Sequence, residues 1–392
     1  MLHYEIQTKS RINIFSSLKV ESKINTSIEK STYSCVKYLS DCKELIEQNS
    51  KAWDVFKKHT NPYEWIHTMN NNKKVSKLRP LSRAFYKLLE MMQFFSIVEN
   101  NMVSNPIKTY HLAEGPGGFI EAVKYYRKNT HDLYYGMTLI NDSINVPGWI
   151  KARQFIEENR NVIIEYGATK DGNLYSLKNL DHNYLNHKEE MDLVTGDGGF
   201  DFSNNFNNQE ATATKLILSE ILHGLVVCKP NGTIIVKCFD LFTTTSYQTI
   251  YFLSTLFKEM YICKPETSRY GNSEKYIVCK NKLFTLDDSI YQSIKRFFIQ
   301  IQLADWNDKD ISILNLKIPS HIKNNISEMN CMFTERQLNN INDTLVLIEN
   351  SAKRNEKMHV LKEKHILMST AWCKKYNVPF NNVTQNMFMK CP

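Results

Sequence analysis

No two of the nine cysteines (35, 42, 228, 238, 263, 279, 331, 373 and 391) are spaced Cys-x-x-Cys, and none lies beside a His-x-x-x-His partner. The odd count and the scatter argue against a disulfide framework or a structural zinc, and for a reduced intracellular protein. Cys228, Cys238, Cys263 and Cys279 lie in or beside apolar runs and read as small core residues. Long apolar runs are missing as well. The longest mainly apolar run, 216–227, is broken by Ser219, Glu220 and His223, well short of the ~20 residues that cross a bilayer. Met1 to Leu18 hold no continuous apolar segment, so neither a signal peptide nor membrane association is expected. There is no internal repeat and no long low-complexity tract. Excess charge of one sign is modest: +8, a lean toward polyanionic partners. What is present is a hydrophobic share of 42% in 392 residues, enough for a sizeable core in one large domain or two.

From 109 to 280, strand-like and helix-like patterns alternate, which predicts a mainly parallel sheet. Strands are expected at 109–114, 133–139, 161–166, 192–197, 232–239, 259–264 and 275–280, and helices at 117–128, 148–158, 209–228 and 246–258. The connection Pro265 to Glu274 is too short for a helical crossover, so the last two strands should pair antiparallel. Before this region, helices are expected at 41–48, 51–58 and 83–95, the last with Ser82 as its cap. After it, helical patches fall at 288–303, 334–350 and 355–370. The basic run Lys73, Lys74, Lys77, Arg79 and Arg83 reads either as a solvated loop or as a phosphate-contacting rim.

Four stretches carry candidate chemistry. Glu114-Gly115-Pro116-Gly117-Gly118-Phe119 lies between a strand and a helix, where bare backbone and free N–H groups meet a ligand. The dinucleotide fingerprint would place glycine at 120, which is Ile120, so a smaller ligand fits better. Asp197, in Gly196-Asp197-Gly198-Gly199-Phe200, ends the fourth strand of the run and is either a turn aspartate or a carboxylate facing the ligand crevice. Lys237 interrupts a buried β-run, where lysine is rare without a partner. Glu274 opens the last strand, at what is otherwise an ordinary hairpin tip.

Lys87, Asp197, Lys237 and Glu274 thus follow the order Lys–Asp–Lys–Glu. They fall at the helix before the first strand, the ends of strands four and five, and the start of strand seven. In this the chain resembles the FtsJ-type RNA ribose 2′-O-methyltransferases. The wording of Gly115-Pro116-Gly117-Gly118-Phe119, Asp197-Gly198-Gly199-Phe200, Lys237-x-Phe239-Asp240-Leu241-Phe242 and Ser268-Arg269-x-x-Asn272-Ser273-Glu274 is similar to the eukaryotic and viral mRNA cap branch, as is Asn61-Pro62-Tyr63-Glu64 upstream. Phe85 stands where that family often has alanine.

The resemblance implies an α/β, Rossmann-like fold dependent on S-adenosylmethionine (SAM), with a seven-stranded, mostly parallel sheet whose last strand is antiparallel. Its expected parts are an N-terminal extension (1–75) that contacts RNA or cap, the methyltransferase domain (76–284) and a helical C-terminal extension (285–392). The implied activity is methyl transfer to a ribose 2′-hydroxyl, on the first transcribed nucleotide of capped mRNA. The alternatives are an internal ribosomal or transfer RNA ribose, or a non-catalytic RNA-binding scaffold. Lys87, Asp197, Lys237 and Glu274 would be catalytic, with Lys237 taking or steering the hydroxyl proton and Lys87 depressing its pKa. Ser82, Glu114, Gly115, Pro116, Gly117, Gly118 and Phe119 would hold SAM, with Asp171 or Asn173 at the adenine. Lys57, Arg83, Ser268, Arg269 and Asn272 would contact the substrate, and no metal is required. Tyr63 and Trp65 are either available to stack a base or part of the core. RNA is the implied partner, alongside other capping or transcription proteins. The Lys-, Asn- and Ile-rich composition suits an AT-rich genome, so the expected setting is the cytoplasm, a viral factory or virion, or the nucleus if the chain is cellular.

Overall fold

The computed structural model describes residues 1–8, 14–22, 32–67, 74–99, 105–140, 148–199, 208–306, 311–350 and 352–381. Lys73 and Phe200 fall outside them. The strands are β1 (Leu2–Glu5), β2 (Leu18–Ser22), β3 (Lys108–Leu112), β4 (Leu133–Met137), β5 (Val162–Ile164), β6 (Met191–Gly196), β7 (Cys228–Cys238), β8 (Phe257–Lys264), β9 (Lys275–Lys282) and β10 (Ile311–Leu314). The helices are α1 (Tyr33–Gln48), α2 (Ser50–Phe56), α3 (Ala84–Phe94), α4 (Gly118–Arg127), α5 (Arg153–Glu158), α6 (Leu177–His187), α7 (Gln209–Val227), α8 (Thr244–Leu256), α9 (Asp288–Leu303), α10 (Ser320–Glu349) and α11 (Arg354–Lys375). None of the helices described is long and apolar enough to cross a membrane.

The main sheet runs β1-β8-β9-β7-β6-β3-β4-β5. From β7 to β5 every pairing is parallel. β9 slots between β7 and β8, antiparallel to both. The sheet has eight strands rather than seven. The added one is β1, which pairs antiparallel with β8 from Leu2↔Lys264 to Glu5↔Tyr261 and covers what would otherwise be an open edge.

Alternate side chains on the central strands feed two cores. Val194, Ile234, Val236 and Ile277 pack with residues of α7, α8 and α9 on one face. Leu193, Ile235, Tyr276 and Val278 pack with α3, α4 and α11 on the other. Helix α6 has no counterpart in the sequence expectation. It carries few apolar residues, and its Asn179 and Asn183 side chains are buried in hydrogen bonds instead of forming an apolar stripe. The expected helix at 148–158 is shorter, with α5 starting at Arg153, and the patch at 334–350 is the second half of the longer α10.

The two extensions lock together. β2 and β10 form a separate two-stranded sheet. α1 and α2 share a small core with α10 through Leu39, Ile46, Trp53, Ile341 and Leu345. On the other face, Lys77 N–H donates to the Pro379 carbonyl at 2.8 Å, and Ser76 bridges Phe380.

One buried ion pair ties α4 to the start of β4. Arg127 and Asp132 have no solvent exposure, and Arg127 Nε meets Asp132 Oδ2 at 2.9 Å. Asp132 also accepts from the Ile107 N–H at 2.9 Å and the Tyr134 hydroxyl at 3.1 Å. Asp132→Ala removes the counter-charge of this buried guanidinium, and is expected to lower stability by about 3–5 kcal/mol in urea unfolding.

Candidate active site

The parallel strands end at a crevice where the chain order reverses on either side of β3, the usual ligand position in such sheets. The glycine stretch forms the first turn there. Gly117 adopts φ +100 and caps α4, a backbone that L side chains rarely take. A Cβ on Gly118 would stand 2.1 Å from Ser82 Oγ. The Ser82 hydroxyl is not the helix cap expected of it. It is buried without a hydrogen-bond partner among the described residues, as is the indole N–H of Trp149, whose ring lies near Gly117. Glu114 Oε1 accepts from the N–H groups of Phe119 (2.6 Å) and Ile120 (3.2 Å) at the start of α4. Burial, together with the Asp197 charge, pushes the Glu114 carboxyl well above the usual carboxylate range despite those donors. A cationic group beside it would reverse that shift.

Asp171 and Asn173 sit in the turn after β5, which the Ile140 N–H anchors to the end of β4 through the Asp171 carbonyl at 2.8 Å. Their side chains serve that turn. Asp171 accepts from Thr169 Oγ1 and the Asn173 N–H, and Asn173 Oδ1 accepts from the Tyr175 N–H.

On the other side of Asp197 four charged residues converge. Lys87, from α3, is bound by Glu274 at 2.7 and 2.9 Å. Lys237 Nζ donates to the Asp197 carbonyl at 2.6 Å and lies 3.4 Å from Asp197 Oδ1. Tyr276 joins the pairs: its hydroxyl donates to Asp197 Oδ1 at 2.9 Å and lies 3.4 Å from Glu274 Oε1. Sequence reasoning missed Tyr276, because a tyrosine in a β-run reads as core. It also took Ser268 as a substrate contact. The structure buries Ser268 completely and turns its hydroxyl onto Glu274 Oε1 at 2.9 Å.

The charge states follow from this packing. Burial alone would raise the Glu274 carboxyl, but Lys87, Lys237 and Lys264 hold it far below the carboxylate range. Burial lowers Lys87. Burial also pulls Lys237 down, yet Asp197, Glu274 and Glu220 outweigh it and leave its pKa raised. The expectation that Lys87 depresses Lys237 is therefore corrected: three carboxylates face Lys237, and it is an ammonium at neutral pH.

Of the other substrate candidates, Arg83 and Arg269 converge on Glu64, with Arg83 Nη1 at 3.9 Å and Arg269 Nη2 at 2.6 Å from its carboxylate. Asn272 Oδ1 is taken by Lys264 Nζ at 2.8 Å. Lys57, which follows α2, pairs with Asp54 of that helix at 2.5 Å. Tyr63 and Trp65 are not stacking platforms: both are buried in the core beside Trp372 and Tyr376. Lys77 and Arg79 are exposed. Away from the crevice, Glu165 pairs with His182 (3.5 Å) and His187 (3.3 Å), a trio close enough to hold a metal ion.

A family model described as FtsJ-like methyltransferase matches residues 80–282, just over half of the chain. The chain is 31% identical over 216 residues to cap-specific mRNA (nucleoside-2′-O-)-methyltransferase 2 of Drosophila melanogaster, covering 50% of this chain and 29% of that protein. It is 36% identical over 180 residues to cap-specific mRNA (nucleoside-2′-O-)-methyltransferase 1 of the same species, covering 44% and 22%. To the Homo sapiens methyltransferase 1 it is 29% identical over 267 residues, covering 62% and 30%. The chain thus spans less than a third of the length of these curated relatives.

Glu220 offers a test of the site's electrostatics. Its Oε1 accepts from the Gly198 N–H at 2.9 Å, while Oε2 is buried without a partner among the described residues. Burial raises this carboxyl to about 8, even with Lys237 and the Gly198 N–H pulling it down. A carboxyl raised on folding stabilises most at low pH, and that contribution fades as pH climbs from about 4.5 to about 8. Glu220→Gln keeps an oxygen for Gly198 and removes the titration. The melting temperature of the variant relative to wild type should rise across that window and then level off.

Proposed function

The chain belongs to the FtsJ-like methyltransferase family, and we propose that it transfers a methyl group from SAM to a ribose 2′-hydroxyl of RNA, that of the first transcribed nucleotide of a capped mRNA. The observation that carries the chemistry is the lysine pair, buried Lys87 and largely buried Lys237, each held by a carboxylate at the carboxyl ends of the strands. The cap as target is supported by the names of the matched relatives.

The residues around the glycine turn fit SAM. Two buried polar groups there, Ser82 Oγ and Trp149 Nε1, lack partners among the described residues, and the Glu114 carboxyl would favour a cation. Glu114 and the Gly115–Phe119 turn would hold the amino-acid end, and the turn carrying Asp171 and Asn173 would meet the adenine. SAM supplies an electrophilic methyl group.

A ribose hydroxyl is a weak nucleophile, and the side chains must orient it and manage its proton. Lys237 enters as an ammonium and donates to the hydroxyl oxygen, fixing its direction. Asp197 anchors Lys237 through two oxygens, and Tyr276 holds the carboxylate of Asp197. Glu274 fixes Lys87 and adds negative charge that keeps Lys237 protonated. Proton release from the hydroxyl is directed toward Asp197 Oδ1, the carboxylate oxygen beside Lys237.

Labelled methyl should pass from SAM to cap-0 RNA, with nuclease mapping placing it on the first transcribed nucleotide. A label at internal positions, or equal labelling of uncapped RNA, would favour the ribosomal or transfer RNA alternative. No transfer to any RNA would favour the scaffold. Lys237→Ala should abolish transfer while SAM still binds in calorimetry. Gly118→Ala should do the reverse at the donor side: its Cβ displaces the Ser82 hydroxyl, so the Kd for SAM should rise.

A further inference from the structure

Beside the reacting lysines lies a second charged group, centred on Glu64. It follows the Asn61–Tyr63 turn and is 1% exposed. Arg269 grips its carboxylate along one edge, with Nε at 3.0 Å and Nη2 at 2.6 Å. Asn61 Nδ2 donates to it at 2.9 Å. Arg83 Nη1 stands 3.9 Å away, while Arg83 Nη2 donates to the Thr267 carbonyl at 2.9 Å. Burial would raise the Glu64 carboxyl, but Arg269 and Arg83 bring it down to about 2, so it is ionised at any physiological pH.

Two guanidinium groups therefore share one carboxylate. The anchor is interior, whereas the Arg269 and Arg83 side chains keep 28% and 27% of their surface. One positive charge is left over, on the solvent side. Arg83 lies one helical turn before Lys87, on the same face, and it interacts with Glu274. Arg269 follows Ser268, which hydrogen-bonds Glu274. The leftover charge is thus beside the residues proposed to act on the ribose. Glu64 occupies the Nε–Nη2 edge of Arg269, and the opposite Nη1–Nη2 edge can meet a second oxyanion. Arg83 Nε is also buried without a hydrogen-bond partner among the described residues.

We infer that Glu64 is a positioning residue that holds Arg83 and Arg269 as a clamp for one backbone phosphate of RNA, next to the ribose that is methylated. The inference rests on the RNA-directed reading above. Without the buried carboxylate the two guanidiniums would repel, and their rotamers would have to be ordered on binding. Lysine cannot replace either arginine, because a point charge cannot serve anchor and phosphate at once.

The test is anisotropy of a short fluorescent capped RNA across a salt series, with SAM affinity and thermal melts as controls. Arg83→Ala and Arg269→Ala should each weaken RNA binding about tenfold or more and flatten the slope of log K against log salt by about one. Arg269→Lys should not restore binding. Glu64→Gln should raise KM for RNA while kcat and SAM affinity stay near wild type. Where Glu64→Gln melts early, the two arginine variants decide the matter. Wild-type affinity and slope in those variants would overturn the clamp and leave the RNA reading standing. A wild-type protein that binds no RNA would overturn both.

Discussion

The Glu274 carboxylate is the contact through which the site is assembled. It binds Lys87 from α3, accepts from Ser268 in the preceding loop, and lies beside the Tyr276 hydroxyl. Its own backbone carbonyl accepts from Lys264 at the end of β8, at 2.8 Å. Lys87 is thus bonded directly to this largely buried carboxylate while Lys237 and Lys264 act on it through space, and Asp197 supplies the second negative charge. Desolvating so many charges is tolerable only because every one is paired and hydrogen-bonded. Any single deletion leaves a buried charge exposed to its neighbours, so the four act as a unit.

That arrangement needs β9 between β7 and β8. The antiparallel pairing Lys237↔Tyr276 sets the strand carrying Lys237 beside the one that follows Glu274. The extensions then fix what lies beyond the strands. Lys43 of α1 reaches Asp240, just past β7, at 2.6 Å, and Lys275 meets the same carboxylate at 3.5 Å. Asn330 of α10 donates to the Leu241 carbonyl at 2.7 Å, and Gln337 to the Gly271 carbonyl at 3.3 Å. Arg336 of α10 stacks on the Tyr270 ring at 3.7 Å. Both loops that flank the lysine pair are therefore held by segments far away in sequence.

The parts legible in the sequence are those where a residue type conflicts with its surroundings. Lys237 in an apolar strand and Glu114 before a glycine turn are such conflicts, and the alternation from β3 to β9 follows from hydrophobic period. Tyr276 conflicts with nothing in its strand. Glu64 finds Arg269 across 205 residues, a distance no local pattern encodes. β1 is four residues whose strand character comes from the β8 edge it covers. Helix α6 escapes because its buried face is made of asparagines. Tyr63 and Trp65 sit in a basic stretch that suggests base stacking, yet their burial is decided by α11, some three hundred residues on. The direction of the Lys237 shift was likewise unreadable, since it depends on how closely the fold sets Asp197, Glu274 and then Glu220 around the ammonium.

The charges also have a direction. Glu114, Glu220 and Asp197 lie toward the glycine turn, and each feels the others or Lys237. Arg83 and Arg269 lie on the far side of Lys87 and Glu274. Burial holds the Glu114 and Glu220 carboxyls high, so the turn end gains negative charge as a cation settles beside it, while the arginine end carries excess positive charge. Such a field favours a cation at one end and an anion at the other, with the lysines between them where bond exchange would take place. The lysine–carboxylate contacts are made before either ligand arrives, so that part of the site needs little reorganisation at the moment of reaction.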